Sequence, residues 1–121
     1  MRDETGKPED LRVRTKKFAL RIIRVYSALP KETVTQVLGK QLLRSGTSVG
    51  AHYREAFRGK SRADFISKME GALQELDESQ YWFELLIEAG TVSQKQLQPL
   101  LDETNQLISI FVTIVKRTKD R

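Results

Sequence analysis

The 121-residue chain has no cysteine and a single histidine, His52. Without cysteine, disulfides and thiolate chemistry are excluded, and a reducing compartment is expected. A transition-metal site would have to consist of carboxylates, because the Glu-x-x-His pairs that di-iron helical bundles use do not occur. We therefore predict no metal and no cofactor, with His52 as a packed or hydrogen-bonded side chain.

Long apolar runs are also missing. No stretch approaches the roughly 20 apolar residues that a membrane span requires, and no signal peptide is recognisable at the start. We expect a cytoplasmic protein with no membrane contact. A chain of this length suits one domain.

Motifs for catalysis are weak. Gly46 and Gly50 lack the lysine and the preceding strand of a phosphate-binding loop. Ser48 lies four residues before His52, but a serine–histidine pair on one helix without an oxyanion device is poor evidence for hydrolysis. The sequence predicts a protein that is not an enzyme and has no small-molecule substrate.

What is present is helical periodicity in four segments, with apolar residues three and four positions apart. Short connections favour an all-α, antiparallel up-down-up-down four-helix bundle. We predict a disordered tail over residues 1–9, a single bundle domain over residues 10–118 and a short tail over residues 119–121.

Turn and capping residues mark the predicted helix ends. Pro30 ends the first helix, and Thr33 with Gln36 suggests a capping box for the second. Gly59 is predicted to end the second helix in the left-handed conformation, and Gly90 to close the third. Ser61 with Asp64 is predicted to cap the third helix, and Ser93 with Gln96 the fourth. Pro99 predicts either a kink or a later start near Gln98.

The chain is organised around Gln41–Phe57, within the second helix. The second helix has three interior glycines, Gly39, Gly46 and Gly50, and each should cost about 1 kcal/mol of helix propensity relative to alanine. Close approach of another backbone would offset this cost, so we predict a central helix that neighbours contact on two flanks. The alternative is a helix that merely tolerates its glycines.

Charge alternates along the chain. Residues 11–31 hold seven bases and no acid, whereas residues 63–90 hold one base and seven acids. The bases of the first helix have two interpretations. They form a face that is solvated or paired with the acidic third helix, or they form a positively charged binding surface for nucleic acid. The predicted nucleic-acid-binding residues form one stripe on each of the first two helices: Arg14, Lys17, Arg21 and Arg24, then Lys40, Arg44, Arg54 and Arg58.

The end of the third helix is apolar on nearly every side. Trp82 and Leu85 point away from its main apolar stripe. Either a second internal neighbour covers them or, as aromatic enrichment at interfaces favours, another subunit does. We assign Trp82 and Leu85, together with Phe57, to a predicted oligomer interface.

The run QLLRSGTSVGAHYREA, followed by RADFISKMEGALQELDES and YWFELLIEAG, resembles the 23S rRNA-intervening-sequence protein family over roughly Phe18 to Val115. The most specific matches are Gln41, Arg44, Ser45, Ser48, Val49, Tyr53 and Glu55. Family members often have asparagine where this chain has His52.

This resemblance implies a four-helix bundle that assembles into a ring-like homopentamer. It also implies kinship with the accessory protein of diversity-generating retroelements, a basic barrel that binds nucleic acid and a reverse transcriptase. Arg44 and Glu55 would be the family's marked charges, with Gly46, Ser48 and Gly50 in the same structural motif. Because Arg44 and Glu55 lie three turns apart, their partners should lie on helices 1 and 3 or on another subunit. If such a pair is buried, losing one member should cost about 3–5 kcal/mol.

Two functions remain open from sequence. The first is an oligomeric bundle whose basic surface binds RNA or DNA without base readout. The second is a protein-interaction scaffold that docks partner helices, or a partner resembling a reverse transcriptase, without touching nucleic acid. Binding to phosphates must weaken steeply with salt, whereas an apolar contact should hardly respond.

Overall fold

Four α-helices make up the structure, a computed structural model that describes residues 10–121. The helices are α1 (Leu11–Ala28), α2 (Thr33–Ala56), α3 (Arg62–Glu88) and α4 (Gln94–Lys119). Consecutive helices pack against each other, and α1 meets α4 over a small area. The all-α up-down-up-down bundle predicted from sequence is confirmed, and no strand occurs within residues 10–121. The predicted disordered tail lies outside the described residues.

Each helix buries one apolar stripe in a common core. The spacing of three and four residues turns these side chains towards the bundle axis, which removes their apolar surface from water. The largest side chains with no exposed surface are Phe18, Ile22, Leu42, Met69, Leu76, Phe83, Leu86, Leu107 and Phe111.

Several predicted helix ends are confirmed. The Ser61 hydroxyl accepts a 3.1 Å hydrogen bond from the Asp64 backbone N–H at the start of α3. Ser93 and Gln96 form a reciprocal capping box at the start of α4. Gly90 has φ +78° just after α3, a conformation that favours glycine.

Other helix ends differ from the predictions. Thr33 is already helical, and Glu32 precedes α2 without a side-chain cap to the helix backbone. The Glu32 carboxylate instead accepts a hydrogen bond from the Thr35 hydroxyl. Gly59 is not left-handed, since Gly90 is the only residue with positive φ within residues 10–121. A right-handed turn follows α2, so that end needs no glycine.

The start of α4 excludes one of the two outcomes predicted for Pro99. The helix begins at Gln94, not near Gln98, and it contains Pro99. The capping box of Ser93 and Gln96 satisfies the first backbone donors ahead of the proline. The first turns can therefore form although Pro99 donates no backbone hydrogen bond.

The glycines of α2 face α1. A methyl group on Gly46 would lie 2.7 Å from Cγ1 of Ile22, and one on Gly50 would lie 3.0 Å from the Thr15 hydroxyl oxygen. With α3 on its other flank, α2 is contacted from two sides, as predicted. The predicted cause needs correction, because the nearest atoms at these two glycines belong to side chains of α1 and not to its backbone.

Candidate nucleic-acid interface

A line of charges follows the junction of α2 and α3. The Arg44 guanidinium lies 2.9 Å from an oxygen of Glu78 and 3.3 Å from Glu75. Beneath these pairs, the fully buried hydroxyls of Ser45 and Ser79 lie 2.8 Å apart and share a hydrogen bond. The contact with two carboxylates offsets much of the positive charge of Arg44.

The same line continues along α2. Nζ of Lys68 donates a 3.0 Å hydrogen bond to Glu55. The ring of His52 lies between two acids, with Nδ1 3.8 Å from Glu55 and Nε2 3.8 Å from Glu75. We call this set the polar ladder; its members are Arg44, Glu78, Glu75, His52, Glu55 and Lys68.

The polar ladder confirms where the partners of Arg44 and Glu55 lie, since both partners come from α3. It corrects the idea that these pairs are buried. The side chain of Arg44 is 51% exposed and that of Glu55 is 43% exposed. An exposed ion pair contributes about 1 kcal/mol or less. Removing Arg44 or Glu55 should therefore destabilise the protein less than breaking a buried pair would.

Two carboxyls of the polar ladder titrate away from their ordinary range. Burial is the main cause that raises the pKa of Glu75, and the neighbouring Glu78 raises it further, against the Arg44 charge. The hydrogen bond from Lys68 and its positive charge lower the pKa of Glu55. The pKa values of these two acids are therefore shifted in opposite directions.

Arg14 does not belong to a solvated stripe, which corrects the sequence prediction. It is 5% exposed, and its guanidinium donates two 2.8 Å hydrogen bonds to the Glu103 carboxylate of α4. A further 2.7 Å bond reaches the side-chain oxygen of Gln106. Arg14 is buried in the joint between α1 and α4, so it cannot contact a nucleic acid.

The predicted pairing of α1 with the acidic third helix is also wrong within residues 10–121. In an up-down bundle α1 and α3 are diagonal, and α1 packs against α2 and α4. The acids of α3 form ion pairs with α2, through Arg44, and with α4, through a 3.2 Å contact between Glu70 and Lys119. The exposed bases of α1 therefore have no acidic helix beside them.

Basic side chains line adjoining surface cavities where the start of α1 meets the end of α2. Arg54 lines all three cavities, which measure about 240, 490 and 550 Å³. The one acid in their linings is Asp10. We call this surface the basic groove; its bases are Arg12, Lys16, Arg54 and Arg58. None of these four side chains forms a hydrogen bond or ion pair with another described residue.

The predicted residues divide over this surface. Arg54 and Arg58 lie in the basic groove, and Lys17 lines one of its cavities. Arg24 and Lys40 are exposed, and Arg21 is half-buried. Arg44 belongs to the polar ladder instead. Sequence reasoning missed Arg12 and Lys16, although both lie in the same basic run of α1, four residues apart, and so on one side of the helix.

The residues of the predicted oligomer interface lie in different surroundings. Phe57 is 61% exposed at the end of α2. Trp82 and Leu85 are half-buried, and Trp82 packs against the core. The core of the bundle therefore covers part of Trp82, and its indole nitrogen is buried.

Comparison with known proteins agrees with this architecture. A family model described as 23S rRNA-intervening sequence protein matches residues 9–113. The chain belongs to the 23S rRNA-intervening sequence protein family. The solved structure of a protein with unknown function from the S23 ribosomal protein family of Bacteroides thetaiotaomicron has a TM-score of 0.83 and 38% identity. The match covers 88% of this chain and 99% of that one. No curated protein sequence matches.

The family match contains all four bases of the basic groove and the whole polar ladder. Within residues 10–121 of this family member, no three His, Asp or Glu side chains are grouped so as to hold a metal ion. No helix in that part of the chain is long and apolar enough to cross a membrane.

Proposed function

We propose that this protein is a non-enzymatic, oligomeric bundle that binds RNA or DNA through the phosphate backbone at the basic groove. One observation carries the proposal. Arg12, Lys16, Arg54 and Arg58 line adjoining cavities, and none of them forms an ion pair with another described residue. Elsewhere, acids of α3 and α4 offset bases such as Arg44, Arg14 and Lys119.

The shape of the groove favours backbone contact over base readout. Its arginines and lysine lie on α1, on α2 and in the turn after α2, so the charges follow an extended path across two antiparallel helices. Arginine and lysine bind phosphate through charge, and such contacts carry no direct sequence information. One aromatic side chain, Phe57, lines the cavities with a largely exposed ring. We therefore expect weak, salt-sensitive binding with little sequence preference.

The hydroxyls near His52 support a non-enzymatic role. The Ser48 hydroxyl donates a 2.6 Å hydrogen bond to the Arg44 carbonyl, one turn back along α2. Its proton is therefore directed away from the imidazole that would have to accept it in hydrolysis. Ser45 is fully buried beside Ser79, out of reach of a substrate.

We further propose that the protein forms a homo-oligomer, with a pentamer as the expected size. Val34 and Val37 at the start of α2 are 64% and 56% exposed, and Tyr81 near the end of α3 is 54% exposed. Because α2 and α3 run antiparallel, these residues lie at the same end of the bundle as the half-buried Trp82 and Leu85. We call these five residues the apolar patch. A second copy covering it would remove apolar surface from water.

The apolar patch also favours the second candidate function, a scaffold that docks partner helices or a partner resembling a reverse transcriptase.

The two candidate functions predict different effects of charge reversal on RNA binding. Replacing Arg54 and Arg58 by glutamate should abolish binding to a short single-stranded RNA. The matched control, Lys95→Glu with Arg117→Glu, makes the same change in net charge on exposed sites of α4 and should retain more of the affinity. Equal losses in both variants would contradict a role for the basic groove.

A further inference from the structure

Three arginines meet at one end of the basic groove, where α1 begins. A cavity of about 490 Å³ opens there between Arg12 of α1, Arg54 of α2 and Arg58 in the turn after α2. Asp10, Tyr53 and Phe57 complete its lining, and we call this cavity the terminal cleft. The dipole of α1 adds positive potential at this end of the groove.

Tyr53 brings a hydroxyl to the terminal cleft that the fold itself does not use. The residue is only 8% exposed, and its ring packs between Phe57 and Phe111 at centroid distances of 5.0 and 5.7 Å. The hydroxyl forms no hydrogen bond with any described residue. Burial and Asp10 raise the pKa of Tyr53, while Arg12 opposes them. The hydroxyl is thus close to the two α1 residues that line the cleft, and it remains a proton donor at neutral pH.

The Tyr53 hydroxyl donates to no described residue, so an anion in the terminal cleft would give it an acceptor. Three arginines around one small cavity match the several oxygens of a phosphate monoester, which guanidinium groups can bind in pairs of hydrogen bonds. Asp10 opposes an anion, but one of its oxygens already accepts a 2.7 Å bond from the Arg12 backbone as the cap of α1. The net charge of the lining remains positive.

Phe57 adds a second kind of contact. Its ring is 61% exposed at the edge of the terminal cleft, next to Arg58. A phenyl ring beside a phosphate site can stack on a nucleobase, because every base has an aromatic face. The lining therefore combines recognition of a phosphate with recognition of a ring.

We propose that the terminal cleft binds a nucleotide that carries a phosphate monoester, as found at the phosphorylated end of an RNA or DNA strand. Tyr53 donates to the phosphate, the arginines balance its charge, and Phe57 stacks on the base. This inference deepens the proposed function: the basic groove holds the strand, and the cleft holds its end. A free nucleoside monophosphate has the same chemistry and is the other source of such a ligand.

The test compares short single-stranded RNAs of one sequence with a 5′-phosphate, a 3′-phosphate or no terminal phosphate, measured by fluorescence anisotropy. We expect one phosphorylated form to bind about tenfold more tightly than the unphosphorylated form, as for a hydrogen bond to a charged group. Tyr53→Phe should reduce that preference several-fold, a larger effect than on the affinity for unphosphorylated RNA. The matched control, Tyr81→Phe, removes an exposed hydroxyl from α3 and should keep the preference.

Adenosine monophosphate and ribose 5-phosphate serve as competitors that separate the two sources. Phe57→Leu should weaken competition by adenosine monophosphate and leave competition by ribose 5-phosphate unchanged. This result would support stacking of the base on Phe57. If adenosine monophosphate binds through Tyr53 but no RNA binds, the cleft is supported and the proposed function is contradicted. If all RNAs bind equally and Tyr53→Phe changes nothing, the cleft proposal is overturned while the proposed function stands. Failure of every RNA and of both competitors to bind overturns both.

Discussion

The guanidinium of Arg14 lies 2.8 Å from both oxygens of the Glu103 carboxylate, which is 89 residues away along the chain. Both side chains are 5% exposed. This pair connects α1 to α4, two helices that otherwise share a small contact area. It therefore closes the side of the bundle opposite the junction of α2 and α3.

Removing either partner of this pair should destabilise the fold strongly. Arg14→Met leaves a buried carboxylate without its partner, and Glu103→Gln leaves a buried guanidinium, so each should lower the free energy of unfolding by about 3–5 kcal/mol. Arg14→Met combined with Glu103→Met should cost much less than the sum, because no unpaired charge remains. Urea unfolding of the four proteins measures the coupling. Additive losses would show that the pair does not act as a unit.

The glycines of the bundle give a matched pair of predictions. Gly46→Ala places a methyl group 2.7 Å from Cγ1 of Ile22, so overpacking of about 1–3 kcal/mol should outweigh the roughly 1 kcal/mol gain in helix propensity. Gly71→Ala on α3 places its methyl group 3.4 Å from the nearest atom, Nδ1 of His52, and should stabilise the protein slightly. Thermal unfolding measures both changes. A higher melting temperature for Gly46→Ala would contradict close packing between α1 and α2.

Glu75 and Glu55 should give opposite contributions to stability as pH changes. The ordinary pKa of both is 4.5, and folding raises that of Glu75 and lowers that of Glu55. Above pH 4.5, up to its raised pKa, Glu75 binds more protons when folded, so its contribution falls as pH rises. Below pH 4.5, down to its lowered pKa, Glu55 binds fewer protons when folded, so its contribution rises with pH.

Variants isolate each carboxyl. The difference in unfolding free energy between wild type and Glu75→Gln should decrease with pH above 4.5. The difference between wild type and Glu55→Gln should increase with pH below 4.5. Urea unfolding across this range measures both differences. Slopes of the same sign would contradict the account of the polar ladder.

If a second copy covers the apolar patch, the protein should have the mass of an oligomer, and a charge in the patch should reduce that mass. Light scattering should give a mass that is a multiple of the 13.9 kDa chain, five times that mass in the pentamer. Val37→Glu puts a charge on a side chain that is 56% exposed in the single chain. It should reduce the mass without unfolding the helices, which circular dichroism checks. A wild-type protein that scatters as a single chain would rule out the proposed assembly.

Sequence predicted the local features of the fold because local physics fixes them. The apolar spacing defined four helices, and the caps at Ser61 and Ser93 came from residues three positions apart. The cap of α2 was predicted wrongly, because Thr33 is the first residue of the helix and the preceding Glu32 accepts a hydrogen bond from the Thr35 side chain. Adjacent candidates for a cap differ only in backbone angles, which the residue types do not determine.

The candidate site was harder to predict because it depends on which helices are neighbours. Arg14 belongs to the basic run of α1, yet Glu103 holds it in a buried pair, and no local pattern marks an acid 89 residues away as its partner. Charge totals suggested that α1 pairs with α3, whereas the bundle places those helices on a diagonal. Arg12 and Lys16 matter only because the end of α2 brings Arg54 beside them.

The salt dependence of RNA binding tests the central claim most directly. Binding of the wild-type protein to a single-stranded RNA should weaken linearly on a plot of log affinity against log salt concentration. Replacing Arg54 by alanine should make the slope shallower by about 0.7, the value for one lost contact to a single strand. The control Lys95→Ala should leave the slope unchanged. A flat wild-type plot, or a slope that Arg54→Ala does not alter, would contradict binding of phosphates at the basic groove.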